Sequence, residues 1–157
     1  MKFARVAVMA AAMIAAATAA WAEKPDFSGT WTLDPASAPA GGGRGGGGGA
    51  LGTGPATVKQ TADALTIERT MGDAQVSLTY KLDGSESRNM MTGRGGQPGD
   101  SMSTVKWDGP KLTIVTKQEM GGQVMESTQV WSIEGNALTV ESASARGTQK
   151  RVYKKQS

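Results

Sequence analysis

Arg151 and Tyr153 stand two residues apart near the C-terminal end, in the run RVYK, and no other polar pair in the chain has so suggestive a spacing. In an extended strand, residues i and i+2 share a face. A guanidinium and a phenol would therefore project together, a fixed charge beside a neutral hydroxyl. Little else in the chain is equipped for chemistry. It contains no histidine and no cysteine, which removes Ser-His-Asp and Cys-His catalysis, the usual zinc sites and the commonest general base. The acids are scattered singly, and Asp73, Asp83, Asp100 and Asp108 lie in or beside turns, where Asp is favoured for backbone reasons. No spacing suggests a calcium loop, and no two carboxylates pair as a dyad. The sequence thus predicts no catalytic residue, no metal ligand and no cofactor, and the expectation is a protein that is not an enzyme.

The elements that must position Arg151 and Tyr153 alternate with a period of two almost everywhere after Pro25, the pattern of a sheet with one apolar face. Trp31 and Leu33 share a face, as do Leu65 and Ile67; Val76, Leu78, Tyr80 and Leu82; Val105 and Trp107; Leu112 and Ile114; Trp131 and Ile133; Leu138 and Val140. Turn signals separate these stretches: Asp83-Gly84, Asp108-Gly109, Gly121-Gly122, Gly135-Asn136 and Arg146-Gly147. Several supply the positive φ that tight hairpins need. No sustained 3.6-residue period is present, so no long helix is expected. The prediction is an all-β, antiparallel up-and-down meander of about 8–10 strands. A long one-faced sheet buries its apolar side by curling into a barrel, which also removes its edges. A two-sheet β-sandwich buries the same face, and alternation does not separate the two.

The first 22 residues read as an export signal. Lys2 and Arg5 precede the uncharged run Val6 to Ala20, and Ala20-Trp21-Ala22 is a small-x-small cleavage site, so residues 1–22 are expected to leave and the mature chain to start at Glu23. The run is too short for a membrane span. After cleavage no span is expected, and the place of action is the periplasm or the medium. Lys2 and Arg5 leave with the signal, and the remainder carries 15 basic residues against 14 acidic. That near balance is no basis for a polyanion-binding surface. The basic cluster of Arg146, Lys150, Arg151, Lys154 and Lys155 reads as a solvated strand face and tail. Residues 23–157 suit a single domain with one core.

Between the first strand and the next hairpin lies a Gly-rich stretch, APAGGGRGGGGGALGTGP, and GRGG returns at 93–96. Glycine at this density loses the most backbone entropy on ordering, so 36–55 is expected to be a disordered loop, a coil spanning on the order of 25 Å. RGG segments that bind RNA carry many arginines, often with aromatics for stacking. Here Arg44 and Arg94 are each alone in their run, and no nucleic-acid partner is expected.

Three motifs fit together: Phe27-Ser28-Gly29-Thr30-Trp31 at the start, Val105-Lys106-Trp107-Asp108-Gly109 in the middle, and Arg151-Val152-Tyr153-Lys154 at the end. F-x-G-x-W on the first strand with an Arg on the last resembles the calycin barrels, the lipocalins and fatty-acid-binding proteins, and in particular secreted bacterial lipocalin-like proteins. The resemblance implies a barrel whose first and last strands are neighbours. Trp31 would then lie against Arg151, a guanidinium over an indole contributing about 0.5–2 kcal/mol, with Gly29 allowing close backbone approach. It also implies a second role, in which the terminal Arg-x-Tyr points inward, Arg151 supplying charge and Tyr153 a hydroxyl to a ligand carboxylate. The family's second inward arginine, two strands earlier, has no counterpart in STQVWSIE. Its helical lid is replaced by the glycine loop.

Two functions follow from this sequence. The first is an exported barrel binding a small apolar or amphipathic ligand through Arg151 and Tyr153. The second is a dry-core module that meets an envelope protein through its outer surface or glycine loop. Met90, Met91, Met102, Met120 and Met125 could line an adaptable apolar pocket, but are expected to fill gaps in the core.

Overall fold

In the computed structural model, which describes residues 24–38, 50–92, 98–145 and 147–157, each alternating stretch forms a strand. Ten strands follow in chain order: β1 (Gly29–Leu33), β2 (Ala56–Gln60), β3 (Ala64–Met71), β4 (Ala74–Lys81), β5 (Ser87–Thr92), β6 (Pro98–Asp108), β7 (Lys111–Met120), β8 (Gln123–Glu134), β9 (Ala137–Ser144) and β10 (Gly147–Lys155). The helical content among the described residues is one 3₁₀ turn, Pro35–Ser37, capped by Asp34, whose Oδ1 accepts from the Ala36 amide at 3.1 Å. No helix among the described residues is long and apolar enough to cross a membrane.

All ten strands lie in one sheet in the order β4-β3-β2-β1-β10-β9-β8-β7-β6-β5, with every ladder antiparallel. β1 joins β2 on one side and β10 on the other, so the two ends of the chain meet inside the sheet. Curling then brings β4 to β5. These neighbours are spanned by side chains: Asn89 Oδ1 accepts from the Thr79 amide at 2.8 Å and Asn89 Nδ2 donates to the Thr79 carbonyl at 3.0 Å. One step along, the Lys81 amide donates to Ser87 Oγ at 2.7 Å. The result is a nearly closed barrel, not a sandwich, and alternation alone puts its apolar face inward.

Hairpin chemistry fixes the register of consecutive strands. Glu134 pairs with Ala137 across the two-residue turn Gly135-Asn136, and Gly135 takes a φ of 61°, open to glycine at no steric cost. The core holds Phe27, Trp31, Leu65, Ile67, Leu78, Leu112, Ile114, Trp131, Leu138 and Tyr153, all essentially buried. Each such aliphatic side chain contributes about 1.5–3 kcal/mol relative to exposure.

The glycine-rich stretch departs from expectation at both ends. Pro35–Ser37 is helical, and Ser37 Oγ accepts from the Val152 amide at 2.9 Å. At the far end Ala50 and Leu51 lie inside the barrel, 3% and 2% exposed. Both side chains are buried and the Gly52 carbonyl is held by Tyr153 Oη at 2.8 Å, so 50–52 joins the core and does not trail as coil. The methionines depart too. Met90 is 69% exposed, and Met102 and Met125 about 40%, so these three do not fill the core; Met90 and Met102 sit at outward positions of β5 and β6. Residues 1–22, read above as an export signal, together with Arg44, Arg94, Arg146 and the bulk of both glycine runs, lie outside the described residues.

Candidate ligand-binding site

The inward face is graded. Antiparallel registers align inward residues of β6 to β10 in successive rungs. One runs Trp107, Leu112, Trp131, Val140, Arg151, with Ile133, Leu138 and Tyr153 a step deeper on β8 to β10; the next runs Val105, Ile114, Gln129, Ser142, Gln149; the third Ser103, Thr116, Ser127, Ser144, Gly147. Each step of two residues moves about 6–7 Å along a strand. The interior therefore passes from indole and aliphatic groups to amides and then to hydroxyls over roughly 13 Å. Some of the polar members are paired: Ser103 and Thr116 share a hydroxyl–hydroxyl bond of 2.8 Å, and Gln129 Oε1 accepts from Trp131 Nε1 at 3.2 Å.

The apolar end is closed from within by the N-terminal motif. Phe27 stacks on Trp107 at 6.1 Å and meets Trp131 edge-on at 5.7 Å, geometries that add about 0.5–1.5 kcal/mol each beyond burial. Trp31 Nε1 donates to the Phe27 carbonyl at 2.9 Å. Gln60 fastens the segment, its Oε1 accepting from the Phe27 amide at 3.0 Å while its Nε2 donates to the Pro25 carbonyl at 3.2 Å. The F-x-G-x-W motif is thus a floor: Phe27 fills it and Trp31 holds Phe27.

The cation over Trp31 is Lys155, its Nζ 5.7 Å from the ring centre, where Arg151 had been expected. The β1–β10 register pairs Trp31 with Lys155 and Leu33 with Tyr153, which puts Arg151 four residues, about 13 Å, further along β10. Gly29 does permit a close approach, to Lys155: at its φ of 140° a Cβ would stand 2.6 Å from Lys155 Cε.

Arg151 and Tyr153 do share the inward face, 4% and 1% exposed. Arg151 Nη2 donates to Gln149 Oε1 at 3.0 Å, and Tyr153 Oη donates to the Gly52 carbonyl at 2.8 Å. Burial raises the Tyr153 phenol above its ordinary range, opposed by the charge and hydrogen bond of Arg151 and by the charge of Arg69. Lys150 and Lys154 of the same strand point outward. The C-terminal basic run is thus split, with Arg151 inside and these two lysines in solvent.

Arg69 is the residue that sequence reasoning passed over. It follows Leu65 and Ile67 at the same two-residue spacing, so its inward placement was readable. Its guanidinium lies close enough to Tyr80 and Tyr153 to act on both phenols, and burial lowers its own pKa. Tyr80, 4% exposed, is pushed up to about 12 by burial, against the pull of Arg69. β8, where Gln129 and Trp131 face inward, has no inward arginine, and Arg69 stands at an inward position of β3. Among the described residues no three acidic, histidine or cysteine side chains cluster as a metal site would require.

No protein-family model matches the sequence, and no curated protein does. Solved structures do match in fold. Human cRBP IV is similar at 22% identity and a TM-score of 0.54, covering 84% of this chain and 99% of its own. The REP1-NXSQ fatty acid transporter matches at 14% identity and 0.54, over 83% and 96%. The wild-type fluorescent protein UnaG matches at 20% and 0.55, over 83% and 97%. The chain shares their fold, here a nearly closed antiparallel β-barrel. Within this barrel, Arg151 and Tyr153 lie inward on the last strand, beside the first.

Proposed function

We propose that this chain is an exported calycin barrel that holds a small amphipathic ligand in its interior and does no chemistry on it. The graded inward face carries this reading. Apolar rungs continue into amide and hydroxyl rungs, with Arg151 one step from the amides and Tyr153 one step deeper, and a molecule with an apolar body and polar groups along it matches that order. Small-molecule sites are commonly apolar pockets with a few placed polar groups. One neighbour in fold is a fatty acid transporter, which supports a carrier over a catalyst. The leader at 1–22 supports export to the periplasm or medium.

One observation favours a second reading, the dry-core module. Ala50 and Leu51 already occupy interior space, so the barrel is at least partly filled by its own chain and would then act through its outer surface, on an envelope protein. Intact-mass spectrometry of the protein purified from its natural source, followed by solvent extraction, separates the two. The carrier reading expects a stoichiometric small molecule that is lost from a folded Arg151→Ala, Tyr153→Phe variant. A bare mass with nothing extractable overturns it in favour of the second.

A further inference from the structure

The interior charge is one-sided. No aspartate or glutamate occupies an inward position on any of the ten strands, whereas Arg69 and Arg151 both do. Arg69 Nε is buried and has no hydrogen-bond partner among the described residues. A buried cationic donor left without an acceptor is costly, so what lies beside it matters.

Beside it lies Gly52. Its α-carbon packs so tightly on the Arg69 guanidinium that a Cβ there would collide with Nη1, and its carbonyl accepts from Tyr153 Oη at 2.8 Å. The preceding residue, Leu51, puts its side chain into the apolar core, 2% exposed. Leu51 and Gly52 therefore present, side by side, an apolar group to the core and an oxygen acceptor to a phenol near two guanidiniums. That is the order of tail and head in an amphiphile.

We infer that Arg69 is the second cation of the interior site and that Leu51-Gly52 holds the place of an amphiphile with an oxyanion head, which must displace it to bind. The inference rests on the ligand-binding reading above. A neutral carbonyl makes the weaker bond; an oxyanion would take charge-assisted bonds from guanidinium and phenol together, roughly twice as strong as neutral ones. The polar half of the interior then gives the displaced segment a way out towards solvent.

The test compares dodecanoate and dodecyl phosphate with dodecanol, three probes of equal tail, by tryptophan fluorescence and calorimetry. Both anions are expected to bind the unaltered protein at least tenfold tighter than the alcohol. In Arg69→Gln the advantage should fall below threefold, and Arg69→Lys should restore part of it. In the unaltered protein, saturating dodecanoate should speed amide hydrogen exchange at Ala50, Leu51 and Gly52; this measurement stands even if Arg69→Gln does not fold. Equal affinity for all three probes, or slowed exchange at 50–52, overturns the inference and leaves the carrier reading standing. Binding of none of them overturns both.

Discussion

Asn89 of β5 makes two hydrogen bonds to the backbone of Thr79 on β4, one to its N–H at 2.8 Å and one from its side-chain amide to the carbonyl at 3.0 Å. One carboxamide thereby reproduces a rung of an antiparallel ladder at the place where the sheet's two ends meet. A partner of this kind is more costly to remove than its net worth suggests, because both backbone groups lose it at once.

Asn89→Ala is expected to cost about 1–3 kcal/mol and to speed hydrogen exchange at the Thr79 amide, with little change at β7 or β8. Urea denaturation and exchange by NMR read both. An exchange change spread evenly over the barrel would show that the seam is not a separate closure.

The Trp31 indole reports on which cation lies over it. Lys155→Gln should shift the Trp31 indole N–H resonance and cost about 0.5–1 kcal/mol, while Arg151→Gln should leave that resonance nearly in place. The reverse pattern would restore the arrangement expected from sequence.

The chain's two tyrosines, Tyr80 and Tyr153, are both buried, and both phenols are raised, Tyr80 to about 12. A folded pKa above the unfolded value means that the fold favours the neutral phenol. That contribution is complete below the unfolded pKa of about 10 and is lost as pH rises from there through the folded value. Phenolate absorbance should therefore be nearly absent at pH 10 and should grow together with loss of tertiary structure above it. A simple titration centred near 10 in folded protein would contradict the burial of both rings.

Leu51→Ala should destabilise the barrel by about 2–3 kcal/mol, the lower part of the range for a buried leucine, because neighbouring loop residues can partly collapse into the space. Thermal unfolding by circular dichroism gives the number. A change within 0.5 kcal/mol would mean that the segment rests in the barrel without supporting it.

The strands and the barrel were legible because inward apolar residues recur every second position from Trp31 to Tyr153. The graded interior was not. Ser101, Ser103, Gln129 and Arg69 sit at inward positions, yet a polar residue within an alternating strand reads as outward unless its parity is followed from an apolar neighbour. The partner of Trp31 was illegible for another reason. Consecutive strands have their register fixed by a turn, whereas β1 and β10 are joined by no turn, and only closure of the whole sheet sets Trp31 opposite Lys155. Leu51 was hidden by its glycine neighbours, since a lone leucine has no period to betray it.

The seam between β4 and β5 has a topological consequence. Those two strands follow one another in the chain yet share no backbone ladder, while the one ladder between distant segments joins β1 to β10. The Gln156 amide reaches the Thr30 carbonyl at 2.8 Å, so the first and last strands already run side by side. A chain opened between Leu82 and Glu86, with its old ends linked, would begin at β5 and finish at β4. Its ladders would then all join strands that follow one another in the chain, with the glycine-rich stretch between β1 and β2 as the one long connection. Contact order would fall, and with it the loop-closure cost that slows β folding. The natural order instead makes the barrel wait for the last strand to find the first.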